Sequence, residues 1–355
     1  MSIESLTRDL VAIPSHEDET AAGDAIEDWL LRETDAHVER DGAGNVLAVR
    51  GDTPRLCLIG HHDVVPPEEG QLTDSGYEIH KRDGRLYGRG TADMKGALAA
   101  ALHAFRDVER DGLAFASFVG EETGGRGARA AVDGGFVPDQ AVVVEGSTGY
   151  SAPSVTDVAV AHKGRRGSTI TATGKSAHAS EVEAGVNAIY RATDAVNICR
   201  DLEPPAATVL DHDVAGSLAV TQIEGGSAWN IIPEQCSVTV DERTVPGDRA
   251  DIGAVERLDG VDWTVDQDLP PMACDEPAFA TEVLAAASDA QEDSPQQVVK
   301  PHATDAGWLA KAGTTCVVCG PAEPGEAHTA NESVSIAVLE RCAEIYRRTA
   351  RRVLS

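Results

Sequence analysis

Five short segments place imidazoles and carboxylates where they could do chemistry. Gly60-His61-His62-Asp63 ends the apolar run Leu56–Ile59. If that run is a strand, His61 and Asp63 share a face, and a carboxylate so placed can orient an imidazole for metal binding. His62 lacks this relation to Asp63, and a charged loop start is the plainer alternative. Asp93, in Gly88-Arg-Gly-Thr-Ala-Asp93-Met-Lys-Gly96, precedes an Ala-rich segment. It suits a helix cap or a carboxylate bridging two metal ions. Glu121 and Glu122 follow the apolar run Phe115–Val119. Adjacent carboxylates there need a compensating positive charge. A metal on one, with the other carrying protons, supplies it; a solvated loop pair does not need it. Glu145 follows Ala141–Val144, and His328 lies in Gly-Glu-Ala-His328-Thr-Ala-Asn-Glu332. Either alone reads equally as an ordinary polar residue.

The elements that must position these residues alternate. Amphipathic segments at Ile3–Ala12 and Asp18–Glu33 predict two helices, with the Pro14-Ser15 break able to cap the second. His37–Arg40 and Asn45–Arg50 flank a hairpin signal, Asp41-Gly-Ala-Gly44. Leu56–Ile59, Phe115–Val119, Ala141–Val144 and Thr315–Cys319 read as strands buried on both faces. Helices are predicted at Met94–Phe105, Ala278–Ala290 and Val334–Val353. This order implies a largely parallel α/β sheet, in which ligands collect at the strands' C-terminal ends. From Lys163 the texture changes. Ser168–Thr173, Leu218–Ile223 and Cys236–Asp241 alternate like half-solvated antiparallel strands, interrupted by a helix near Gly185–Leu202. A small α+β domain inserted into an α/β domain explains the order.

Composition narrows the partners. The chain has 355 residues, suggesting two domains, and a net charge of −29 from 59 acidic and 30 basic residues. Such a surface repels nucleic acid and anionic lipid. Only six basic residues are lysines (81, 95, 163, 175, 300 and 311), the rest arginines. High acidity with little lysine fits a halophilic protein, whose salt screens the repulsion. The start of the chain shows no signal-peptide pattern and no apolar run is long enough to span a bilayer, so a cytoplasmic location without membrane contact is expected. Seven scattered cysteines make no disulfide framework.

Together, GHHDVVP, GRGTADMKG, GEET, KGRRG, NIIPEQCSVTVDER and AHTANE resemble the M20 metallopeptidase family, in particular its acetylornithine deacetylase and succinyl-diaminopimelate desuccinylase branch. The resemblance runs through essentially the whole chain in the family's motif order. It implies an α/β zinc-hydrolase catalytic domain with a mostly parallel mixed sheet, residues 1–162 and 275–355. It also implies an inserted ferredoxin-like α+β dimerisation or lid domain, residues 163–274. By the same resemblance His61 and Glu145 bind one Zn²⁺, Glu122 and His328 the other, and Asp93 bridges them. Co²⁺ or Mn²⁺ are possible substitutes. Asp63 orients His61, Glu121 is the general base, and a cis peptide follows Asp93. Two divalent ions, three ligand carboxylates and a hydroxide balance, which leaves Glu121 as the extra acid ready to take a proton.

Three further expectations concern substrate. His178, in Gly174-Lys-Ser-Ala-His178, matches a family histidine that acts across a homodimer; a surface histidine is the alternative. Asn230 and Arg243 match positions holding the substrate's polar groups, although Arg243 could pair with Glu242 or Asp241. Thr304 and Asp305 match a loop near the substrate. The departures are Val144-Glu145-Gly146-Ser147, where Gly-Glu-Pro-Thr is frequent, and the missing proline after His178. The expected function is removal of a succinyl or acetyl group from a small N-acyl amino acid such as N-succinyl-diaminopimelate or N-acetylornithine. A di- or aminopeptidase is the second reading. A catalytically inactive binding homologue is the third, and no residue loss marks it.

Overall fold

The computed structural model describes residues 1–73 and 76–354. The chain divides into two compact units, one of residues 1–162, 272–300 and 304–355, the other of residues 163–271 and 301–303. The second crossing falls at Met272 rather than after residue 274, because Met272–Ala273 pairs with Ala161–His162 in the first unit's sheet.

The first unit is built on a mixed nine-stranded sheet. Four neighbouring strands are parallel, in the order Leu113–Phe118, Leu56–His61, Gln140–Val143 and Thr315–Val318. Every residue of Leu56–His61 and Leu113–Phe118 is buried, which is why these strands are continuous apolar runs. The expected hairpin His37–Arg40 and Val46–Val49 adds an antiparallel edge. Helix Gly96–Asp107 is buried from Gly96 to Phe105; its alanines let it pack tightly among sheet and helices. Phe115 and Phe118 are fully buried, and truncating either to Ala costs about 3–5 kcal/mol.

Two local expectations are corrected. The second helix spans Thr20–Glu33 and begins at Glu19 without a side-chain cap. Ser15 is buried instead, its hydroxyl donating to the His62 carbonyl at 2.7 Å. Asp93 caps nothing: the helix starts at Gly96, and Asp93 sits in the wide turn Thr91–Lys95 before it. The Asp93–Met94 peptide is cis, as the resemblance implied.

The second unit holds a four-stranded antiparallel sheet, in the order Ser217–Gly225, Gln235–Thr244, Gly164–Thr173, Val261–Leu269. Numbered along the chain this is 2-3-1-4, the ferredoxin-like arrangement. Helix Ala188–Asp201 and the short 3₁₀ helix Ile252–Arg257 pack against the sheet through Ala192, Ala195, Cys199, Ile252 and Val255. Ser217–Gly225 is exposed along nearly its whole length rather than half-solvated. It is an edge strand with one paired neighbour, and Val220 and Ile223 face solvent.

Candidate active site

The sheet's parallel strands deliver three acid-base segments to one edge. Leu56–His61 ends in His61, Leu113–Phe118 leads to Glu121 and Glu122, and Gln140–Val143 leads to Glu145. Two glycines shape the approach. A Cβ on Gly60 would lie 2.8 Å from the side-chain tips of both Leu98 and Met94, which would have to shift to admit it. Gly120 turns the chain with φ 61°, a region that favours glycine.

His61 is 1% exposed and anchored through both nitrogens. Nδ1 lies 3.1 Å from the Asp63 carbonyl oxygen and 3.3 Å from Asp63 Oδ1. Nε2 faces Asp93 Oδ1 at 3.1 Å and Glu145 Oε1 at 3.4 Å. Burial alone would lower its pKa, but Asp63, Asp93 and Glu145 hold it well above the ordinary range. Asp63 has a second task that spacing did not reveal. Its two oxygens accept the backbone N–H groups of Glu121 at 3.1 Å and Glu122 at 3.0 Å. One carboxylate therefore fixes both the imidazole and the Glu121–Glu122 turn.

Asp93 reaches the other way as well. Its Oδ2 lies 3.0 Å from His328 Nε2, which also meets Glu122 Oε1 at 2.9 Å. His328 has φ 58°, unusual for a residue with a side chain. Hydrogen bonds to Asp93 and Glu122 push its pKa up to about 10. Asp93 is held well below the carboxylate range: burial opposes this, but the two histidines overcome it. Two donor sets result, His61/Asp93/Glu145 and Asp93/Glu122/His328, each with its ligand atoms within 4.8 Å of one another. Asp93 lies between the two imidazoles and meets both, His61 through Oδ1 and His328 through Oδ2. Imidazole nitrogen plus carboxylate oxygen is a donor chemistry that suits zinc and its first-row neighbours. The residues therefore fit one divalent ion in each set, with Asp93 common to both.

Glu121 belongs to neither set. Burial raises its pKa well above the ordinary range, and nearby Glu145, Asp305 and Glu122 add to the rise against the pull of His61. Asp305 is buried, neither oxygen has a hydrogen-bond partner among the described residues, and burial lifts its pKa to about 8. Lys300 was missed by sequence reasoning. It ends the strand Gln297–Lys300, and its Nζ lies 3.5 Å from Glu145 Oε2. A lysine closing a short apolar strand was the only signal available.

The residues expected to touch substrate lie in varied settings. Thr304 is buried and its hydroxyl serves its own surroundings, 3.2 Å from His162 Nε2 and accepting the Ala306 N–H at 3.2 Å. Arg243 pairs with Asp241 at 2.8 Å, the alternative open in the sequence. His178 is exposed and meets Ser180 Oγ at 2.7 Å. Ala177–His178 pairs with Ile231–Ile232, and the Asn230 carbonyl accepts the Ala179 N–H at 2.9 Å. His178 and Asn230 thus share one ribbon of the second unit.

The family model described as Peptidase family M20/M25/M40 matches residues 57–352. The chain belongs to this family. The acetylornithine deacetylase of Myxococcus xanthus is 30% identical over 344 residues, 88% of this chain and 84% of its own. The acetylornithine deacetylase of Proteus mirabilis is 34% identical over 219 residues, 59% of this chain and 55% of its own. Among solved structures, aminopeptidase PepT from Bacillus cereus superposes with a TM-score of 0.80 at 19% identity, covering 99% of this chain and 98% of that one. A dinuclear metal-binding M20 peptidase from Bacillus subtilis gives 0.71 at 15%, covering 99% and 97%. The chain is thus a metal-dependent amide hydrolase with an α/β catalytic fold.

Proposed function

We propose that the protein is a two-zinc deacylase that removes an acetyl or succinyl group from an N-acyl amino acid. The observation that carries this reading is the pair of donor sets sharing Asp93, with the partly buried Glu121 carboxyl beside them but in neither. His61, Asp93 and Glu145 would hold one ion; Asp93, Glu122 and His328 would hold the other. Bound there, two divalent ions polarise a scissile carbonyl and make water acidic enough to attack near neutral pH.

The chain's own groups do the rest. Asp63 keeps the His61 ring oriented and the Glu121–Glu122 turn in place. Glu121 takes a proton from the attacking water as its oxygen bonds to the carbonyl carbon. It then gives that proton to the departing nitrogen as the C–N bond breaks. Burial makes Glu121 a stronger base than a carboxylate in water, which suits it to hold the proton between the two events. By the family resemblance, His178 would act across a homodimer as a donor to the developing oxyanion, and Asn230 and Arg243 would hold the substrate's polar groups. Lys300 sets a cation beside Glu145, and the relatives named acetylornithine deacetylase support an acyl amino acid over a peptide as substrate. The fold likeness to aminopeptidase PepT does not select the peptidase reading, because identity there is 19%.

We also read the protein as a cytoplasmic homodimer adapted to salt. The open edge Ser217–Gly225 and the charge of −29 support these readings. No helix among the described residues is long and apolar enough to cross a membrane. A panel of N-acetyl and N-succinyl amino acids, assayed in high salt for released amine, tests the function. Release from acyl amino acids, weakened when the α-carboxylate is amidated, is expected. Release from free dipeptides alone would replace the reading with a peptidase.

A further inference from the structure

Glu332 lies four residues beyond His328, and its side chain is completely buried. Its Oε1 accepts three backbone N–H groups, from Gly90 at 2.9 Å, Ala92 at 3.0 Å and Asp93 at 3.1 Å. Its Oε2 receives Arg89 Nη1 at 2.5 Å. The main chain joins in, since the Glu332 carbonyl accepts the Gly88 N–H at 3.0 Å. Ser333–Ser335 then pairs with Arg85–Tyr87, with Ser333 opposite Tyr87. Strand register and the side chain's own bonds therefore both place the carboxylate beside the 88–93 segment.

The segment it grips is irregular. Asp93 and Met94 leave helical geometry, with φ −131° and −136°, so Glu332 supplies an acceptor where a regular helix would supply its own carbonyls. A buried carboxylate is costly unless paired and hydrogen-bonded, and here Arg89, 2% exposed, and three amides meet that demand. The amides it binds belong to the shared ligand Asp93 and its immediate neighbours. The turn it belongs to carries His328. Metal ligands must be held to within about 0.5 Å, and this one side chain ties the Asp93 turn to the His328 turn.

We propose that Glu332 is a positioning residue that sets Asp93 relative to His328, and so completes the Asp93/Glu122/His328 site. The inference rests on the two-metal reading above. It assigns Glu332 no contact with substrate or metal.

Co²⁺ titration of the metal-stripped protein tests it, followed by calorimetry and by the visible spectrum of the bound ion. The parent chain should take two Co²⁺; if it takes none, the two-metal reading fails before Glu332 is at issue. Glu332→Gln should weaken the second Co²⁺ by roughly 10- to 100-fold, the range for groups that orient ligands, and alter its spectrum. Arg89→Lys, which keeps a cation and the three amide bonds, should change it far less. If Glu332→Gln lowers the metal-free melting temperature yet keeps both affinities within about twofold, well short of that range, Glu332 is structural only and the proposal is overturned. If the variant does not fold, amide exchange in the metal-free parent decides. Protection at Gly90, Ala92 and Asp93 matching the neighbouring helix supports the proposal; exchange at free-loop rates overturns it.

Discussion

The two donor sets share Asp93 but are built to different standards. In His61/Asp93/Glu145 the side chains are 1%, 15% and 12% exposed, and each outer ligand is braced from behind. Asp63 holds the far nitrogen of His61, and Lys300 faces the second oxygen of Glu145. In Asp93/Glu122/His328 the histidine side chain is 48% exposed and sits on a turn with positive φ. One set is a product of the sheet, with His61 and Glu145 set by the ends of neighbouring parallel strands. The other depends on how two turns are tied together. The difference teaches that a shared carboxylate need not make two equal sites: the first is preorganised by the core, the second by Glu332.

The largest expected effect separates catalysis from both sites. Glu121→Gln should bind two ions as the parent does, yet lose roughly 10²- to 10⁴-fold in kcat, the usual worth of a general base. A kcat near the parent's would assign the base elsewhere. A smaller effect sharpens the inequality between the sets. His61→Ala should cost more total metal affinity than His328→Ala, by roughly tenfold, because it also strands Asp63 and Asp93 in a closed setting. Equal losses, measured by competition with a chromophoric chelator, would erase the distinction drawn here.

The smallest effect concerns the metal-free protein. The His328 pKa rises from 6.5 to about 10 on folding, through its bonds to Asp93 and Glu122. A raised folded-state value stabilises fully below pH 6.5, and that contribution fades as pH climbs to about 10. The metal-stripped parent should therefore lose melting temperature over this window, and His328→Ala should lose less of it. With the side chain half-exposed, solvent screening keeps the effect small. A parent and variant with superimposable pH profiles would contradict the assignment.

How legible these features were follows from how local their causes are. The strand ends carrying His61, Glu121 and Glu122, and Glu145 were readable because buried parallel strands leave continuous apolar runs, and polar residues just after them stand out. The inserted unit was readable at Lys163, where that texture gives way to alternation. Asp93 as a helix cap was the natural local reading, and it failed because the turn Thr91–Lys95 separates it from the helix. The grip of Asp63 on the Glu121–Glu122 turn joins residues 58 and 59 positions apart, and that of Glu332 on Asp93 spans 239 positions. No spacing rule reaches so far. The places of Lys300 and Asp305 at the site are likewise products of tertiary packing. Arg243 shows the converse, since its pair with Asp241, two positions away, was already offered by the local sequence.

The central claim is that five side chains form two metal sites sharing Asp93. Its most direct test adds Zn²⁺ stepwise to chelator-stripped protein while bound metal and turnover are read on the same samples. The account predicts two ions per chain, bound with unequal affinity, with full turnover of an N-acyl amino acid reached only as the second site fills. A chain that binds no Zn²⁺, or that is equally active when stripped, would contradict it.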